Sequence, residues 1–426
     1  MQKNESLQLP SFRHYLALRF ALILSLNWQT AVVSYMIYEL TRNTVQGPAL
    51  FLGLMGLAEV VPAVLGSLLA GPYVDRSEKR GLLLFCVVGY LVLSLYFVGL
   101  SWPVLQDKIG LSWTLGLLYT GIFLGGLARA FWSPSAFSLV GLLVPRPLLP
   151  NATTWSSMSW QAGAVLGPLA GGLFLAPLGY EASLLSVTAL QIVAVVFALA
   201  IPKQPVAEAK RESVFKSVGE GLEFVFKNQL VLTALSLDMF AVLFGGATAL
   251  LPVYANDILG VGEVGYGWLK AAPGLGSVIT LIILSWLPLK NRPGIKLLCS
   301  VAGFGICTIV FGISTSFILS VVTLVLLGIF DGVSVVIRGI ILQLKTPHEM
   351  RGRVAAVNTM FVSSSNEIGS LESGLTAKWM GTVPSVVVGG VLTLVVVAVA
   401  AFRAPKLRTL NFSTEAEEEK KEVELG

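Results

Sequence analysis

A chain of 426 residues that is 55% hydrophobic and 12% charged cannot keep its surface dispersed in water, since an ordinary soluble domain carries about 25% charged residues. Lipid must be the solvent for most of it, and the net charge of +5 adds little by itself; no nucleic-acid partner is expected. Cys86, Cys299 and Cys307 sit in apolar runs without C-x-x-C spacing and read as buried helix residues, while His14 and His348 lie near helix ends, so neither a disulfide framework, a metal site nor a cofactor is implied.

A bilayer core about 30 Å thick takes about 20 helical residues to cross. The first apolar run starts near Tyr15 and is too long and too interrupted by polar residues for a signal core, so it reads as a retained helix. Runs of crossing length recur at 15–40, 49–74, 82–101, 113–140, 151–177 and 180–201, then at 229–253, 264–288, 296–317, 319–345, 354–380 and 383–402. The fold class is therefore all-α and integral to the membrane, with about twelve spans. Four domains follow: a six-helix bundle over 1–202, a linker over 203–228, a second bundle over 229–404 and a charged tail over 405–426. In the linker Val214, Phe215, Val218, Leu222, Val225 and Phe226 recur at helical spacing, which predicts a short amphipathic helix lying on the membrane surface. The tail is dense in Glu and Lys and reads as disordered.

An even number of spans puts both termini on one side. Of the Lys and Arg outside the spans, only Arg42, Lys108 and Lys378 face the other way. The positive-inside rule then makes the termini cytoplasmic, which fits the inner membrane of a bacterium. The halves also resemble each other in register. At an offset of 202, Pro145, Gly167, Gly172 and Gly179 fall on Pro347, Gly369, Gly374 and Gly381; at 211, Gly56, Pro62 and Lys79 fall on Gly267, Pro273 and Lys290. Parallel six-helix repeats of this kind build some transporters.

Three stretches carry chemistry. The loop after the second span reads Gly71-Pro-Tyr-Val-Asp75-Arg76-Ser-Glu-Lys79-Arg80. A glycine allows close helix contact, an acid can pair with a cation or a helix N-terminus, and the basic cluster holds the loop at the surface, so the loop suits a gate as well as an ordinary basic turn. The fifth span carries Gly163, Gly167, Pro168, Gly171 and Gly172, a small-residue face bent by a proline. Ionisable residues inside spans form the third set. They are Arg129, Asp238, Asp331 and Arg338, with Glu59, Lys270, Glu367 and Glu372 as secondary charges and Asn27 and Gln29 as added polar groups. A charge at a span centre costs roughly 2.5–3.5 kcal/mol on insertion scales and must face a partner or a wet cavity.

The loop resembles the G-x-x-x-D-R-x-x-R/K-R signature of major facilitator transporters. Gly163 to Gly172 are similar to that superfamily's antiporter motif, with Thr154 where its first glycine stands, and Arg129 is similar to the arginine of its proton-coupled exporters, with Ser133 replacing a glycine. Phrases such as Tyr266-Gly-Trp-Leu-Lys270-Ala-Ala-Pro273 and Thr346-Pro-His-Glu-Met-Arg351-Gly-Arg353-Val resemble the enterobactin-exporter and macrolide-efflux branch. The resemblance implies two pseudo-symmetric six-helix bundles, with the first, fourth, seventh and tenth spans lining one cavity. It further implies a monomeric, proton-coupled antiporter that exports a drug, siderophore or similar small molecule by alternating access. Asp238 and Asp331 would titrate, with Arg129 and Arg338 as counter-charges. An importer, flippase or uncoupled facilitator of the same fold is the alternative. H-E-x-x-H, G-x-S-x-G and Walker motifs are absent from the sequence, so an enzyme is not expected.

Overall fold

The computed structural model describes residues 5–204, 214–286, 292–347 and 350–410, without the side chains of 67–72, 75–76, 214–217, 285, 352, 356, 406 and 409. His348, the tail from Asn411 and the side chains of Gly71, Asp75, Arg76, Val214 and Phe215 therefore lie outside the described residues.

After a short 3-10 turn (Glu5–Gln8) the chain runs through α1 (Pro10–Thr41), α2 (Pro48–Arg76), α3 (Lys79–Leu100), α4 (Pro103–Leu143) and α5 (Leu149–Ala200). Then come α6 (Val214–Lys227), α7 (Gln229–Phe244), the single turn α8 (Leu251–Val253), α9 (Gly262–Trp286), α10 (Pro293–Ile313) and α11 (Phe317–Lys345). The chain continues in α12 (Arg351–Met380), α13 (Thr382–Arg403) and α14 (Pro405–Thr409). Proline at the first turn starts α1, α2, α4 and α10, where its missing N–H leaves no intrahelical bond unmade.

Ten stretches among the described residues are long and apolar enough to cross a membrane. One of them, Arg146–Ala200, would be about 80 Å long at ~1.5 Å per residue. It breaks at Gly179, whose φ of 73° only glycine adopts freely, and so makes two crossings. The twelfth is α12, 30 residues long but rich in Ser, Asn and Glu, which hydropathy alone passes over. Among the described residues the fold is all-α, with twelve transmembrane helices.

Two departures from the sequence reading have local causes. The stretch before 113 is not a plain loop: Pro103 starts a short helical run that ends at Gly110, with φ of 75°. The seventh span is not one helix to 253. It stops at Gly245, whose N–H donates to the Ala241 carbonyl at 2.8 Å, and continues as a 3-10 turn (Gly246–Leu250), α8 and a π turn (Tyr254–Ile258). At Gly246 a Cβ would overlap the Gly369 backbone, so the small residue that lets α12 approach also weakens the helix.

By its internal contacts the chain forms two compact units, Met1–Val214 with Leu251–Ala271, and Phe215–Leu250 with Ala272–Gly426. In the first, Phe12, Tyr15, Leu83, Trp132, Leu139 and Ala194 bring α1, α3, α4 and α5 into one buried cluster. In the second, Ala234, Leu237, Leu297, Ile337 and Val397 join α7, α10, α11 and α13. Large apolar side chains such as Phe85, Phe137, Trp286 and Phe402 stay exposed, the surface expected where lipid is the solvent. Cys299 is exposed as well, against the expectation of burial.

The linker segment α6 packs on its own unit rather than resting on lipid alone. Val225 is buried with Val231, Leu235, Leu342, Val354 and Val357, while Glu220 pairs with Arg353. Leu222 and Phe224 join that contact, while Phe226 points away, 62% exposed.

Candidate functional site

In the first unit the glycines of α5 form a seam against α1. A Cβ on Gly163 would lie 2.8 Å from Leu24 N, and one on Gly167 would lie 2.6 Å from Asn27 Cβ and 2.8 Å from Leu24 O. At Gly171 it would meet Ala31 Cβ at 3.0 Å, and at Gly172 the Glu263 carbonyl oxygen at 2.5 Å. Real Cβ atoms do not approach so closely, so these positions set the distance between the helices. Pro168 is buried beside them, and its carbonyl oxygen would lie 2.8 Å from a Cβ on Gly267. Asn27 spends its amide on the Ile23 carbonyl at 2.9 Å, and Gln29 accepts a long 3.5 Å bond from the fully buried Gln191.

The described part of the α2–α3 loop is bolted to the end of α5. Glu78 caps α3 by accepting from Arg80 N at 3.0 Å and Gly81 N at 2.6 Å, and it also accepts from Gln204 N at 3.0 Å. Burial pushes its carboxyl up, but these N–H donors and the Arg80 charge outweigh that and hold it below the ordinary carboxylate value. Arg80 donates to the carbonyls of Leu199 at 3.0 Å and Ile201 at 3.2 Å, two orphan acceptors at a helix C-terminus where a cation is favoured. Lys79 is buried and reaches the Val74 carbonyl.

Two ion pairs bring four of the intramembrane charges together. Arg129 binds Glu59 at 2.6 Å across α4 and α2. Asp238 and Arg338, both about 95% buried, form an ion pair between α7 and α11. Asp331 makes no ion pair or hydrogen bond among the described residues, although it shares α11 with Arg338. Lys270 donates to Tyr266 Oη at 3.0 Å and to Ser34 Oγ at 3.4 Å. Glu372 accepts a 3.5 Å bond from the neighbouring Ser373, and Glu367 is half-buried on the same helix, α12.

A second seam, between α9 and α11, was missed. A Cβ on Gly276 would overlap Val325 O, one on Gly328 would overlap Pro273 O, and one on Gly332 would lie 2.9 Å from Thr280 Cβ. The first half holds its counterpart, for a Cβ on Gly126 would lie 2.9 Å from Pro62 Cγ. Gly126 and Gly328 are 202 apart and Pro62 and Pro273 are 211 apart, the two offsets that relate the halves. The repeat thus reproduces a packing contact as well as isolated residues.

Twelve transmembrane helices among the described residues, a duplicated glycine–proline contact and charges paired inside spans make up the scaffold. Residues 17–370 match the Major Facilitator Superfamily. The chain belongs to that superfamily. It is similar to the enterobactin exporter EntS of Shigella boydii serotype 18 (strain CDC 3083-94 / BS512), 28% identical over 92% of this chain and 94% of the relative. EntS of Escherichia coli O1:K1 / APEC is similar to the same degree and extent. Among solved structures, the POT family transporter PepTSo aligns with a TM-score of 0.71 at 12% identity, covering 95% of this chain and 99% of that one. A D-xylose-proton symporter aligns at 0.70 and 14% identity over 91% and 96%. A bacterial homolog of the human lysosomal transporter Spinster aligns at 0.68 and 17% identity over 93% and 98%. At these identities the three structures establish the fold alone. As a major facilitator protein the chain is a transporter and not an enzyme.

Proposed function

We propose that this transporter exports an organic small molecule by alternating access, in exchange for protons, with enterobactin as the first candidate cargo. The similarity to enterobactin exporters over 92% of the chain supports the outward direction and the cargo. The coupling rests on one contrast: Asp238 has its arginine inside its own unit, whereas Asp331 has no counter-charge among the described residues. An ionised carboxylate without a partner at membrane depth is costly, so Asp331 is the group a proton would neutralise. Asp238 with Arg338, and Glu59 with Arg129, then serve as fixed structural pairs. The six-plus-six division at 203–228, cytoplasmic termini, a monomer in a bacterial inner membrane and a gate at Gly71, Asp75, Arg76, Lys79 and Arg80 complete the reading.

The test is enterobactin flux in proteoliposomes with an imposed pH step. Wild type should concentrate enterobactin against its gradient and lose this with an uncoupler. Asp331→Asn should abolish uphill flux while sparing downhill exchange at equal pH. Flux in wild type that ignores both the pH step and the uncoupler would eliminate proton coupling.

A further inference from the structure

The sequence reading left Lys270 among the secondary charges, but its surroundings are built. From Gly262 to Lys270 the helix rises about 12 Å, and from Ser34 to Thr41 α1 rises about 10 Å, so the ammonium lies about two helical turns in from the ends of both helices. An ammonium has three donors and no acceptor, which fixes the direction of every bond in the cluster. Lys270 donates to Tyr266 Oη at 3.0 Å, Tyr266 O–H therefore donates to Ser34 Oγ at 2.6 Å, and Ser34 O–H donates on to the Thr30 carbonyl at 2.8 Å. The charge also lies 5.5 Å from the centre of the Tyr266 ring. All these groups are neutral.

The acids nearby are committed elsewhere or set apart along the helix. Asp257 accepts from Tyr38, Glu39 pairs with Arg42 at 3.1 Å, and Glu263 lies roughly 10 Å back along α9 at ~1.5 Å per residue. Lys270 makes no ion pair among the described residues. The repeat sharpens the point. At the offset of 211 Lys270 takes the place of Glu59, and at 202 Asp331 takes the place of Arg129. In the first half those two positions neutralise each other at 2.6 Å. In the second half the signs are exchanged and the cation is instead held by hydroxyls, with one N–H to spare.

We propose that Lys270, oriented by Tyr266 and Ser34, is the subsite that receives an anionic group of the transported molecule, so that the cargo is an organic anion. This rests on the transporter reading and adds the substrate class.

The experiment reads the charge that an approaching molecule meets. Cys86, Cys299 and Cys307 are replaced by alanine and Thr30→Cys is added, one turn from Ser34 on the same face of α1. The protein in lipid nanodiscs is then treated with two methanethiosulfonates of similar size, one sulfonate-tailed and one ammonium-tailed. The anionic reagent should react at least tenfold faster than the cationic one, relative to their rates with a free thiol. Lys270→Gln should collapse that ratio, and Lys270→Arg should keep it. Discs of phosphatidylglycerol and of phosphatidylcholine should give the same ratio, whereas a ratio seen only in phosphatidylcholine would assign the site to a lipid headgroup. No reaction at Thr30→Cys, an unchanged ratio in Lys270→Gln, or a steep rise on adding Asp331→Asn would each overturn the proposal, the last by making Asp331 the counter-charge. Labelling does not depend on flux, so its failure is distinct from a failure of proton-coupled export.

Discussion

Asp238 lies within α7 and is almost fully buried, with Arg338 of α11 as its ion-pair partner. A carboxylate in a span announces that it must be partnered, but which partner depends on how helices turn, and hydropathy does not report rotation. Four ionisable residues on supposedly cavity-lining helices read as one set; the structure divides them, giving Arg338 to Asp238 and Arg129 to Glu59. Because the Asp238–Arg338 pair is almost fully buried, removing one partner leaves an uncompensated charge, which typically costs about 3–5 kcal/mol, whereas replacing both with apolar groups is often close to neutral. Asp238→Asn and Arg338→Met should each lower the thermal unfolding midpoint of the purified protein markedly, and Asp238→Leu/Arg338→Met should lie nearer to wild type than either. Single variants as stable as wild type would show that the pair holds nothing together. Flux through Asp238→Asn must accordingly be counted per folded molecule.

Among the elements, the breaks that glycine dictates were readable and those that packing dictates were not. Gly179 stands two residues after Pro177 and ends an apolar run, so the boundary between the fifth and sixth spans is visible in the letters. The end of α7 is not, because residues 229–253 stay apolar throughout while Gly245 and Gly246 yield to Phe304 and Gly369 of neighbouring helices. The α5 motif was legible as a small-residue face, yet its partner, α1, became known only from the contacts of Gly163, Gly167 and Gly171. These contacts predict a graded response. Gly167→Ala would force α1 away from α5, and overpacking of this kind costs about 1–3 kcal/mol. Gly141→Ala in α4, where a Cβ meets nothing within 4 Å, should be neutral or slightly stabilising. Unfolding midpoints of the two variants, measured side by side in one detergent, check this. Equal midpoints would mean that the seam tolerates a methyl group and does not set helix spacing.

For the whole molecule, span number and internal duplication were legible because they rest on composition and on offsets, which survive where side-chain geometry does not. The proposed direction in which the chain threads the membrane rests on where Lys and Arg lie and not on how the helices pack. The basic residues gather in 76–80, 203–227, 290–296 and 345–353, and the proposed orientation sets Arg42, Lys108 and Lys378 on the opposite side. A Lys108→Cys variant and a Glu223→Cys variant, both at exposed positions, report the two sides. Each is placed in a background with Cys86, Cys299 and Cys307 replaced, because the exposed Cys299 would otherwise react. In intact cells whose outer barrier is permeabilised, a membrane-impermeant maleimide should label Lys108→Cys and leave Glu223→Cys unmodified. Once the inner membrane is opened, both should react. The second step matters because α6 is docked through Val225 and Glu220, and a site hidden by packing must not be mistaken for one hidden by the bilayer. Labelling of Glu223→Cys in intact cells would invert the orientation, set the loop signature on the outer side, and remove the cytoplasmic gate from the proposed cycle.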